Sequence, residues 1–125
     1  MEQKICLDTN ACIEIINDTE VGKRIVDRIE SYPIFITSIA VFELYLRKSN
    51  LDKIDYFLNK FTILPFDDIC AREGSSIFKE LKKEGKSIDI RDIFISSSCI
   101  INQCSLLTLN EKHFENIKGL KLFKI

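Results

Sequence analysis

The chain has 125 residues, of which 46% are hydrophobic, and its 18 basic residues nearly balance 19 acidic ones. This length and apolar content suit one substantial core, so we expect a single domain over residues 1–125. A net charge of −1 gives no global field that attracts nucleic acid, and no window reaches the roughly 18 apolar residues of a membrane span. The N-terminus also lacks a cationic segment followed by an apolar one, so we expect a cytoplasmic protein.

Short apolar runs alternate with segments of helical length along the chain. This alternation predicts an α/β fold with a central, mainly parallel sheet of about five strands flanked by helices. The predicted strands are 3–7, 33–37, 62–66, 105–109 and 120–124. The predicted helices are roughly 10–17, 20–31, 38–48, 51–60, 68–84 and 92–103. Gly85 is expected to end the fifth helix as its C-cap.

The first predicted strand ends on a charged residue, in the run KICLDTN. In open parallel sheets, ligands bind outside the carboxyl ends of the strands, so Asp8 is a candidate site residue. The alternative is that Asp8 only caps the helix that follows it.

The second candidate is Glu43, in TSIAVFELYLRK. It lies four residues after Ile39, at the margin of an apolar stripe, where a carboxylate needs a partner. The alternative is a surface pair with Arg47, four residues further on.

The third candidate is Asp92, at the start of the very apolar segment DIFISSSCII. The helix dipole favours a carboxylate there whatever else it does. Asp89, three residues earlier, is either the N-cap of this helix or a further acid near the same place.

The fourth candidate is Asn110, which follows the strand 105–109 as Asp8 follows the first strand. Its amide oxygen can ligate a metal or hold a metal-bound water, although a helix or turn start before Glu111 would also explain it. Three or four such oxygens at one sheet edge would repel one another unless a cation bridges them, and Mg²⁺ or Mn²⁺ is the natural choice.

The histidine and cysteine residues give little support to a catalytic triad or to a zinc or disulfide site. His113 is the only histidine, so a Ser-His-Asp triad or a multi-histidine metal site has almost no material. The five cysteines form no C-x-x-C pair and mostly lie in apolar runs, which favours reduced thiols in a core.

The motifs LDTN, SIAVFEL, GKSIDIRDIFISS and TLNEKHFENIKGLKL occur in an order that resembles PIN-domain endoribonucleases of the VapC toxin type. The similarity extends over essentially the whole chain. It implies a PIN fold, an acidic site that depends on Mg²⁺ or Mn²⁺, cleavage of RNA, frequent homodimers and a small VapB-like antitoxin partner. By this resemblance Asp8, Glu43 and Asp92 are the catalytic and metal-binding acids, and Asn110 occupies a fourth position where the family uses Asp or Asn.

Auxiliary positions follow from the same resemblance. Thr9 and Asn10 are expected to orient the site, and Thr108 matches the threonine two residues before the fourth position. Asp89 replaces a residue that is usually Gly and would add negative charge. A homodimer is also expected because aromatic and apolar residues are concentrated on the central helices, namely Phe42, Tyr45, Leu46, Tyr56, Phe57 and Phe61.

Other interpretations fit less well. A haloacid-dehalogenase-type phosphatase needs a second Asp two residues after Asp8, but this chain has Asn10 there. A receiver domain needs paired acids after the first strand, where Asp8 stands alone. Two alternatives stay open: a PIN nuclease of RNA maturation or decay, and an inactive PIN module that binds RNA or protein. A neighbouring gene for a short DNA-binding protein would favour the toxin.

Overall fold

The computed structural model describes residues 2–125. Its helices and strands alternate as the sequence predicts. The strands are β1 (Lys4–Leu7), β2 (Ile34–Thr37), β3 (Thr62–Leu64) and β4 (Cys104–Leu107). The helices are α1 (Thr9–Ile16), α2 (Glu20–Ile29), α3 (Ser38–Tyr45), α4 (Leu51–Leu58), α5 (Asp68–Lys83) and α6 (Ile90–Ile101), and a 3₁₀ turn covers Glu111–His113.

The strands form one parallel sheet in the order β3-β2-β1-β4. The chain moves outward from β1 through β2 to β3 and then returns to place β4 on the other side of β1. Leu7 is thereby aligned with Leu107, at the carboxyl ends of the two strands. The order reverses between β1 and β4, which is where open parallel sheets bind ligands.

The expected strand at 120–124 is wrong, and the described sheet has four strands rather than about five. Only Leu122 makes a bridge, to Leu106, whose N–H donates to the Lys121 carbonyl at 2.8 Å. The apolar side chains of this segment serve packing instead, since Phe123 lies in the core with its ring edge-on to Tyr32. Its apolar pattern therefore reflects burial without a strand ladder.

Two cores cover the two faces of the sheet. Ile5 and Leu7 point into one core with α1, α2, α3 and α4, while Cys6 and Leu106 point into the other with α5 and α6. All five cysteines are buried and free, as predicted. Within residues 2–125, no helix combines the length and apolar character needed to cross a membrane.

Helix α5 ends at Lys83 with Glu84 as its C-cap, so Gly85, the predicted C-cap, is the residue that follows the cap. This residue has φ +71°, and its N–H donates to the Lys82 carbonyl at 3.1 Å. The Lys86 N–H donates to the Leu81 carbonyl at 2.9 Å, which completes a Schellman motif. This motif turns the chain into the loop that precedes α6.

The predicted apolar surface on the central helices is only partly confirmed. Four of the six residues are exposed, namely Phe42, Tyr45, Leu46 and Tyr56. Phe57, however, is buried in the first core and Phe61 packs against it, because the face of α4 that carries Phe57 points inward.

Candidate functional site

Asp8 lies immediately after β1 and is buried, with 7% of its surface exposed. One carboxylate oxygen accepts the N–H of Thr9 at 2.8 Å, so Asp8 does cap α1. The other accepts the hydroxyl of Thr108 from the end of β4 at 2.7 Å. Capping therefore occupies one oxygen, while the second joins Asp8 to the neighbouring strand.

Glu43 reaches the same place from α3. This helix starts directly after β2, where the Thr37 hydroxyl caps it by accepting the Ala40 N–H at 3.1 Å. Glu43 Oε1 accepts the hydroxyl of Thr9 at 2.6 Å, and Oε2 lies 3.5 Å from Arg91 Nη1. The alternative surface pair with Arg47 is therefore not the contact that Glu43 makes.

The two acids at the start of α6 have different roles. Asp89 is the N-cap, with Oδ1 accepting the Arg91 N–H at 2.9 Å. Asp92 lies in the first turn, 20% exposed, with Oδ2 3.5 Å from Nδ1 of His113. Since Asp89 performs the capping, Asp92 is available for another purpose.

Asn110 follows β4 at the edge of the site. Its backbone N–H donates to Thr108 Oγ1 at 3.1 Å, and its side chain is exposed. The adjacent Glu111 instead pairs with Lys124 at 2.8 Å. Asn110 is thus linked to Asp8 through Thr108.

A cavity of 220 Å³ lies at this end of the sheet, between β1, β4 and the starts of α1 and α6. Its lining includes seven of the eight residues predicted from the sequence; Thr108 lies behind it as a hydrogen-bond donor to Asp8. The lining residues are Asp8, Thr9, Asn10, Glu43, Asp89, Arg91, Asp92, Asn110 and His113.

Two of these residues, Arg91 and His113, were not predicted from the sequence. Arg91 lies between Glu43 and Asp89, with Nε 3.6 Å from Asp89 Oδ1. His113 belongs to the 3₁₀ turn after β4 and reaches Asp92. The available signals were the position of Arg91 beside Asp92 and that of His113 three residues after Asn110.

The fold disfavours negative charge on the central acids. Burial raises the pKa of Asp8, although the hydrogen bonds from Thr108 and Thr9 oppose this. Burial, followed by repulsion from Asp8 and Asp89, raises the pKa of Asp92 to about 6. The charge of His113 only partly offsets these effects, so a bound cation would stabilise the ionised site.

The donor set suits a hard cation. Among residues 2–125, no group of three or more acidic, histidine or cysteine side chains is arranged to hold a metal ion without further ligands. Mg²⁺, however, binds through one or two carboxylates while keeping several waters, and it commonly takes its other ligands from substrate phosphates. Carboxylates that face an open cavity and repel one another fit this mode of binding.

The parallel sheet and the carboxylates at its switch point define an α/β protein with an acidic site. The PIN-domain family matches residues 5–120 of this chain. Ribonuclease VapC1 of Methanocaldococcus jannaschii is 30% identical over 98% of this chain and 88% of its own. The tRNA(fMet)-specific endonuclease VapC of Shigella flexneri is 26% identical over 94% and 95%. VapBC2 from Rickettsia felis, bound to a promoter DNA fragment, superposes with a TM-score of 0.85 at 28% identity, covering 97% of this chain and 98% of that one.

The chain therefore belongs to the PIN-domain family. Within that family it is one of the VapC-type proteins, because its similarity to them extends over nearly its full length.

Proposed function

We propose that the protein is a metal-dependent endoribonuclease that hydrolyses RNA phosphodiester bonds and acts as the toxin of a VapBC-type pair. The observation that carries this proposal is the cavity where Asp8, Glu43 and Asp92 meet at the carboxyl ends of β1 and β4. Full-length similarity to ribonucleases and to a tRNA-specific endonuclease supports RNA as the substrate. The free, buried cysteines suit action in the cytoplasm.

Asp8, Asp92 and Glu43 would hold Mg²⁺ or Mn²⁺, directly or through waters that the ion keeps, with Asn110 at the edge of the site. When bound, the ion would supply positive charge to activate water and stabilise the leaving oxygen. The chain itself fixes the acids: Thr108 and the Thr9 N–H restrain both oxygens of Asp8, and the Thr9 hydroxyl restrains Glu43. Thr9 and Thr108 are thus proposed to position the acids.

The first test incubates the purified protein with a panel of structured RNAs in Mg²⁺, Mn²⁺ or EDTA. We expect discrete cleavage products with either metal and none in EDTA. Asp8→Asn should abolish cleavage, whereas Asp27→Asn, which removes an exposed carboxylate from α2, should retain it. RNA binding without cleavage under every condition would instead indicate an inactive PIN module.

A second test measures metal binding without relying on catalysis. Added Mg²⁺ should raise the melting temperature, because a ligand that binds only the folded state stabilises it by mass action. The increase should shrink in Asp92→Asn and persist in Asp27→Asn. Equal increases in all three proteins would place the metal elsewhere.

The proposed protein partner is a small VapB-like antitoxin, and the likeness to the VapBC2 complex supports it. We expect the antitoxin to place an Arg or Lys near the acidic cavity, where it can replace the charge of the metal. The double variant Asp8→Asn, Asp92→Asn should then bind the antitoxin more weakly. Unchanged affinity would show that the antitoxin does not contact these acids. RNA cleavage by a protein with no antitoxin gene nearby would instead favour a nuclease of RNA maturation or decay.

A further inference from the structure

A second and larger cavity adjoins the acidic site. Its volume is 530 Å³, and it lies between the loop before α6 and the segment that follows β4. Asp89, Asp92 and His113 line both cavities. The two cavities therefore adjoin at these three residues, and we refer to the larger one as the groove.

The charged side chains that line the second cavity alone are both basic. Beyond the three shared residues, its charged side chains are Lys86 and Lys112. The lining also includes the buried, apolar Leu81 and Ile117. A lining that combines basic and apolar side chains suits a strand with charged phosphates and less polar sugars and bases.

Both lysines are available to a ligand. Lys112 is exposed and makes no ion pair within residues 2–125. Lys86 Nζ lies 3.4 Å from Glu84 Oε1 and 3.4 Å from Asn116 Oδ1, and both distances are long for charge-assisted hydrogen bonds. A phosphate could replace these loose contacts at little cost.

We propose that this groove binds the RNA strand on one side of the bond that is cut, with Lys86 and Lys112 contacting its phosphates. The inference rests on the proposed nuclease function, since it takes the acidic cavity as the site of cleavage. A strand that enters this cavity must continue beyond it, and the groove beside it carries Lys112, which makes no ion pair within residues 2–125, and Lys86, whose polar contacts are long. Phosphate contacts of this kind position the strand without reading its sequence.

The test compares two double variants that each remove two exposed lysines. Lys86→Gln, Lys112→Gln alters the groove, while Lys23→Gln, Lys53→Gln alters α2 and α4, away from both cavities. Lys86 joins the Schellman motif only through its backbone N–H, which Gln preserves. Unchanged melting temperatures check that both variants fold.

The first measurement is steady-state cleavage of a single-stranded RNA that the wild type cuts. The groove variant should raise KM by about tenfold and change kcat little, because its lysines bind the strand outside the reacting bond. The control pair should match the wild type. Equal kinetics in the two variants would overturn the groove while leaving the nuclease function intact.

The second measurement is equilibrium binding of the same RNA in EDTA at several salt concentrations. The groove variant should bind more weakly, and the slope of log affinity against log salt, which is negative, should shrink in magnitude by about 0.7 for each phosphate that a lysine no longer neutralises. If the protein binds RNA without cutting it, the proposed nuclease function is wrong. A slope of smaller magnitude in the groove variant alone would still support RNA binding in the groove. Equal slopes in the two variants, or no binding and no cleavage of any RNA, would overturn it.

Discussion

Asp92 is a carboxylate whose charge the metal-free fold disfavours. Its pKa rises from 3.8 to about 6, so the folded state binds more protons than the unfolded state between these values. The resulting penalty is fully present above pH 6 and disappears as the pH falls toward 4. An acid whose pKa is lowered by a salt bridge behaves in the opposite way, because its charge stabilises the fold at neutral pH.

We therefore expect Asp92→Asn to be at least as stable as the wild type in EDTA at pH 7.5. Its advantage in melting temperature should shrink as the pH is lowered toward 4, because the wild-type carboxyl then becomes neutral as well. Thermal melts of both proteins across this range provide the measurement. A variant clearly less stable than the wild type at pH 7.5 would mean that Asp92 stabilises the fold as a charged group.

Thr108 links the fourth strand to the site through a single buried hydroxyl. Thr108→Val would leave Asp8 without its 2.7 Å donor and would also remove the acceptor of the Asn110 N–H. We expect a loss of about 1–2 kcal/mol in the free energy of unfolding together with slower RNA cleavage. Thr108→Ser keeps the hydroxyl and should restore most of both; equal losses in Ser and Val would show that the methyl group, rather than the hydrogen bond, is what matters.

The central residues could be predicted because strand ends and helix margins are visible in the sequence. Asp8 and Asn110 follow apolar strands, and Glu43 lies beside an apolar stripe, so a parallel sheet brings them to one edge. Arg91 and His113 could not be assigned in this way. The contact of Arg91 with Glu43 depends on how α6 packs against α3, and that of His113 with Asp92 on how the turn after β4 packs against α6; no local pattern encodes either.

The helices and strands agree closely with the predicted segments, and the exceptions have physical causes. The segment 120–124 has strand-like apolarity but pairs at one position only. Phe57 of α4 is one of the six residues from which an uncovered apolar surface is predicted, yet its side chain lies in the core. In the segment 120–124 and in α4, the hydrophobic pattern predicts that side chains are buried, but it does not identify the part of the protein against which they pack.

Two helical glycines offer a matched test of how closely the helices approach one another. A Cβ at Gly22 in α2 would lie 2.2 Å from the Glu14 carbonyl oxygen of α1, so the backbone would have to move. At Gly74 in α5 the nearest atom would be 3.4 Å away, which is an ordinary contact. Gly22→Ala should therefore lower the melting temperature, whereas Gly74→Ala should leave the free energy of unfolding unchanged or raise it by up to about 1 kcal/mol. Equal effects in chemical denaturation would contradict the close approach of α1 and α2.

Large apolar side chains are exposed on α3, at its C-cap Leu46 and on α4. Phe42 is 57% exposed and Leu46 58%, with Tyr56 of α4 at 69%. Exposed groups of this size favour association, and we propose that they contribute to a homodimer. Light scattering at tens of micromolar should give twice the mass of one chain, and Phe42→Glu, Leu46→Glu should give the monomer mass. A monomeric wild type would contradict this prediction.

The proposed activity depends on the acids acting together at the end of the sheet. The most direct measurement is the rate of Mg²⁺-dependent RNA cleavage by Asp92→Asn, in protein free of contaminating nuclease. Asn has nearly the shape of Asp and Asp89 already caps α6, so the variant should fold normally and still lose cleavage. Cleavage at close to the wild-type rate would remove Asp92 from the site and contradict the proposed nuclease mechanism.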